Sequence, residues 1–62
     1  MCEANAYVVR DGEEVLILDN VDLLEPSDGK IRLLSLFGEE KFVTGRIKTI
    51  SLVDHKIIIE ET

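Results

Sequence analysis

The chain has 62 residues, a length that admits one small domain over 1–62 and leaves no room for a deep, two-layered enzyme cleft. Seven Lys and Arg stand against thirteen Asp and Glu, a net charge of −6, so the field of the whole molecule argues against nucleic acid as a partner. An apolar fraction of 45% is that of an ordinary globular protein; no apolar run is long enough to span a bilayer, no leader or lipidation signal is expected, and a cytoplasmic location follows.

The hydrophobic period is two almost throughout, which predicts strands. From Glu3 to Val9, Ala4, Ala6 and Val8 share one face, with Glu3, Asn5, Tyr7 and Val9 on the other. Asp11-Gly12 makes a tight turn, because glycine accepts the positive φ that hairpins need. Glu14 to Asp19 is apolar on both faces, which predicts burial on both sides or a partner. Val21 to Leu24 continues extended, and Pro26-Ser27-Asp28-Gly29 closes it as a turn that Pro opens and Gly ends.

Lys30 to Phe37 is the next strand, with Ile31, Leu33 and Ser35 opposite Arg32, Leu34 and Leu36. Gly38-Glu39-Glu40 turns it back into a short strand from Lys41 to Thr44, and Gly45 marks a kink, bulge or barrel corner. Arg46 to Leu52 alternates again. A turn through Asp54-His55 then leads to Ile57-Ile58-Ile59, whose β-branched side chains favour a strand. Six to seven short strands at hairpin spacing predict an all-β fold, a small antiparallel barrel or rolled sheet.

The chemistry centres on Cys2. A single cysteine cannot form an internal disulfide, which fits a reducing compartment in which the thiol stays free to coordinate metal or react. If Met1 is removed, the Cys2 amine and thiolate chelate together. If it stays, the Met1 amine, the Cys2 amide nitrogen and the thiolate are adjacent donors. Nitrogen and thiolate in a flat arrangement suit Ni(II) or Cu(II). One thiolate and one histidine are too few for a closed tetrahedral zinc site, whereas two chains about a two-fold axis supply two Cys2 ligands and, with backbone nitrogens, four donors. Ala4 and Ala6 would let another backbone come close there, or equally would fill a tight barrel core. On position and count alone an inert, packed thiol is the commoner case.

The remaining candidates are weaker. His55 stands in a turn between Asp54 and Lys56, where a solvated imidazole is commoner than a ligand. Glu13-Glu14, Glu39-Glu40 and Glu60-Glu61 are adjacent residues that point to opposite strand faces, so none is a catalytic dyad; they read as solvated charges. Glu3 would attract a cation beside Cys2 while raising its thiol pKa. Tyr7 and Phe37 lack the basic flanks of an RNA-reading surface and are expected in the core or an interface. Neither a phosphate loop nor a nucleophile–His–acid set is present in the sequence.

Three stretches together resemble a known family: Met1-Cys2-Glu3-Ala4-Asn5-Ala6-Tyr7, then Leu36-Phe37-Gly38-Glu39 ahead of Gly45, then the closing Ile58-Ile59-Glu60. They look like the CooT family of small nickel-binding accessory proteins associated with maturation of carbon monoxide dehydrogenase and its homologues. The resemblance runs nearly the full chain, and its most specific element is the opening Met-Cys-x-Ala. It implies a β-barrel homodimer, not an enzyme, that binds Ni(II) through Cys2 and works with a nickel enzyme or its maturation machinery. Metal ligation thereby becomes the better reading of Cys2. The alternative is a small barrel adaptor for protein or RNA in which Cys2 is incidental.

Overall fold

The computed structural model describes residues 4–61. They form five strands: β1 (Ala4–Arg10), β2 (Glu13–Ser27), β3 (Lys30–Ser35), β4 (Glu40–Ser51) and β5 (Lys56–Glu61). Consecutive strands pair in antiparallel sense, and β1 and β5 close the barrel as a parallel pair. The parallel seam follows from the count. A meander reverses at every turn, so its first and fifth strands run the same way.

The expected all-β small barrel is therefore what the chain forms, with fewer strands than the six to seven expected. Asn20 and Gly45 account for the difference. Each falls inside one long strand that bends and changes neighbour. β2 pairs with β1 from Glu13 to Val21 and with β3 from Val21 to Ser27, bending beside Asn20, which has a left-handed φ of 51°. β4 pairs with β3 up to Thr44 and with β5 from Gly45 to Ser51. Gly45 is the barrel corner: its φ is 150°, its N–H donates to the Gly29 carbonyl at 2.8 Å, and a Cβ there would run into the Glu60 carbonyl oxygen.

Alternation fills the interior. Ala6 and Val8 from β1, Leu18 and Val21 from β2, Ile31 and Leu33 from β3, Val43 from β4, and Ile57 and Ile59 from β5 form one core. Of the two faces expected for β3, the one that carries Ile31, Leu33 and Ser35 is buried. Ile58 is buried as well, on the outer face opposite Tyr7. Two expected patterns are broken. A register slip between Ile47 and Thr49 interrupts the alternation of β4, leaving Thr49 and Ile50 both exposed. In β2, Leu18 is buried but Leu16 is half exposed, so its apolar stretch is not covered on both sides.

The turns also refine the expectation. Asp11-Gly12 and Asp28-Gly29 are two-residue turns with both residues at positive φ, as hairpins with right-twisted strands require. Asp28-Gly29 suffices alone, so Pro26 does not open the turn but pairs with Ile31 inside β2, where that strand is bonded on one side only. Leu36 and Phe37 leave β3 because the Ser35 hydroxyl, itself buried, accepts from the N–H groups of Phe37 and Glu39 at 3.1 and 3.0 Å. In the last turn the Asp54 N–H donates to the Ser51 hydroxyl at 3.2 Å.

Candidate metal centre

Cys2, the expected metal ligand, and Glu3 lie outside the described residues. What is described is the place where the chain enters the barrel. Ala4, opposite Val21, packs against the core, and Ala6 is fully buried within it. For Ala6 the barrel-core reading therefore holds over that of a backbone contact. The Asn5 N–H donates to the His55 carbonyl at 2.9 Å, and the Asn5 side-chain oxygen accepts from the Asn20 N–H at 3.3 Å. The Asn20 carbonyl in turn accepts from the Leu36 N–H at 2.8 Å. This relay ties the last turn, the start of β1, the bend of β2 and the turn after β3 into one belt around the chain entrance.

That belt gives His55 a setting its sequence position hides. The parallel pairing of Asn5 with Lys56 sets the His55 backbone beside the start of β1, although some fifty residues separate them along the chain. Its side chain is exposed, and its φ of 55° is a left-handed value that a turn position demands. The visible work of His55 is thus done by its backbone.

The carboxylates are engaged elsewhere. Glu61 accepts from Arg10 at 2.9 and 3.2 Å, Arg32 spans Glu40 and Glu25 at 2.6 and 2.9 Å, Arg46 meets Glu60 at 3.1 Å, and Lys56 meets Glu14 at 3.4 Å. The paired glutamates expected as solvated charges thus supply partners for all three arginines. Hydrogen bonds from Arg10 hold the Glu61 carboxyl below its ordinary value, and the same bonds raise the Arg10 guanidinium. Arg32 is raised first by its hydrogen bond to Glu40 and next by that to Glu25. Among the described residues no group of three or more His, Cys, Asp or Glu side chains is arranged to hold a metal ion.

The aromatics do not form a nucleic-acid platform. Tyr7 is half-buried on the outer face with the Lys56 ammonium 5.3 Å from its ring centroid, and Lys56 is itself paired with Glu14. Phe37 is 72% exposed in the turn after β3, so the core placement entertained for it does not hold. A shallow hollow beside Phe42 is lined by Glu25, Ser27, Asp28, Lys30 and Arg32, whose only arginine is already held by two glutamates. No helix among the described residues is long and apolar enough to cross a membrane.

Comparison with known proteins adds three findings. The family model described as CO dehydrogenase accessory protein CooT matches residues 1–60, a span that takes in Cys2. An uncharacterised protein of Methanocaldococcus jannaschii is 38% identical over 60 residues, covering 97% of this chain and 98% of that one. A crystal structure assigned to CooT of Carboxydothermus hydrogenoformans superposes with a TM-score of 0.90 at 39% identity, over 98% of both chains.

Proposed function

The chain belongs to the CooT family of CO dehydrogenase accessory proteins, and on that premise we propose that it is a nickel carrier or store, with Ni(II) bound by the Cys2 thiolates of two copies. The observation that supports this most is the family match across residues 1–60, which includes the one thiol of the chain. Nickel is cargo here, held for delivery to the enzyme or its maturation machinery.

The donor chemistry fits that cargo. A thiolate with neighbouring backbone nitrogens offers soft and intermediate donors in a plane, the set that a square-planar d⁸ ion prefers. One copy offers a single thiolate, and the described carboxylates supply no ready cluster to complete a site. A homodimer doubles the thiolates and brings the set to four. The reading is of a cytoplasmic, non-enzymatic protein.

Nickel titration of the wild type and of Cys2→Ala tests it. The wild type should develop thiolate-to-nickel absorption in the near ultraviolet, release protons on binding and bind more weakly as pH falls, because the thiol must ionise. Cys2→Ala should develop no such absorption. Equal titration of the two proteins would refute the proposal.

A further inference from the structure

β4 leaves part of one edge open. From Glu40 to Val43 it pairs with β3 on one side, and its pairing with β5 begins only at Gly45. Among the described residues, the other side of Glu40–Val43 therefore has no strand beside it, and such an edge presents a row of unpaired backbone N–H and C=O groups. Alongside it the barrel opens into a hollow lined by Val8, Ile17 and Val43, with Arg10, Lys41 and Glu61 at its rim. Val8 and Val43 are buried and Ile17 is half-buried, so the hollow reaches the core. Arg10 ends β1, which places the hollow at the far end of that strand from Ala4. Next to it Phe42 is 65% exposed.

We infer that this edge takes an extended segment of another protein, which joins the sheet as a strand beside β4. The inference is independent of the nickel reading. Backbone hydrogen bonds hold such a segment, and the side chains along the edge select it. Lys41 and Val43 lie opposite the buried Leu33 and Ile31 and share their inward face, which leaves Phe42 outward. A residue opposite Val43 covers the hollow and must be apolar. The residue opposite Lys41 must be acidic, because Lys41 has no ion pair among the described residues, whereas Arg10 is already held by Glu61. The residue between them lies beside Phe42, where an aromatic ring packs well. The occupant is thus an extended apolar–aromatic–acid triplet. With a net charge of −6 on the whole chain, one carboxylate facing Lys41 is recognised and a longer acidic run is repelled. At about 210 Å³ the hollow is smaller than the roughly 300–1,000 Å³ of small-molecule sites, and suits one side chain entering from a strand.

The probe is a capped heptapeptide, Thr-Thr-Val-Tyr-Glu-Thr-Thr, titrated into the full-length protein while backbone amide resonances are followed by NMR. Its residues favour an extended chain. In antiparallel pairing its Val falls opposite Val43 when its Glu falls opposite Lys41. The same peptide with Lys in place of Glu is the comparison. Shifts should be confined to β4 from Glu40 to Thr44 and to the residues lining the hollow, and the Glu peptide should bind more tightly by about threefold or more. Lys41→Glu should reverse that preference and Lys41→Gln should abolish it. Lys41 is exposed, and two variants are used so that a folding defect in one leaves the other to decide. No binding at millimolar peptide, shifts on another face, or a preference that ignores Lys41 would each overturn the inference. Shifts of the same β4 amides on raising protein concentration without peptide would assign the edge to a second copy and overturn it as well.

Discussion

Two residues show how local conformation and electrostatics bear on the account. His55 holds a left-handed φ that costs a bulky residue free energy and that asparagine adopts more readily. His55→Asn should therefore keep or raise stability, by up to about 1 kcal/mol, in urea unfolding. It should also leave nickel affinity unchanged, since the described role of His55 is its carbonyl bond to Asn5. A loss of nickel binding would make the imidazole a ligand. Glu61 gives a pH signature. Its folded carboxyl lies below the ordinary value because Arg10 donates to it, so its contribution is fully present above the unfolded value and is lost as pH falls through the folded one. Glu61→Gln should thus be less stable than wild type at neutral pH, with the difference vanishing in the acid range where the carboxyl is protonated. A constant difference at all pH values would exclude the Arg10 pair as its source.

At the scale of elements, the barrel depends on two long strands bending. β4 turns its corner at Gly45, where the Glu60 backbone of β5 leaves no space for a Cβ. Gly45→Ala should cost on the order of 3 kcal/mol, as a backbone clash combined with a disfavoured φ, and in a barrel this small that should abolish cooperative thermal unfolding. An alanine variant as stable as wild type would mean that β5 moves aside freely. The same bends explain what was legible beforehand. Strand periodicity, the Asp11-Gly12 hairpin and the division of β1 and β3 into two faces could be read from the chain, because each is a local consequence of residue type. The strand count could not: the segments on either side of Asn20 and of Gly45 can each be counted as two short strands or one bent one, and which holds depends on neighbours that only the closed barrel supplies. Leu36 and Phe37 misled in the other direction. Their apolar character continues the period of β3, yet the Ser35 hydroxyl turns the backbone away and leaves both side chains exposed.

For the whole molecule, the closed barrel spends its core on packing, and the proposed nickel chemistry belongs to Cys2, which precedes β1 in the chain. Cys2 could be singled out from the sequence as the lone thiol. The surroundings of Asn5 could not, because the turns after β3 and β4 are tied to it only through the belt from His55 to Asn5, Asn20 and Leu36. The central claim is that two copies share one nickel ion through Cys2. Mass spectrometry of the intact complex under non-denaturing conditions, after nickel loading and removal of excess metal, tests it most directly. The account predicts a dimer carrying one nickel per two chains, and a Cys2→Ala dimer carrying none. A monomer holding its own nickel, or a Cys2→Ala protein that retains the full complement, would contradict it.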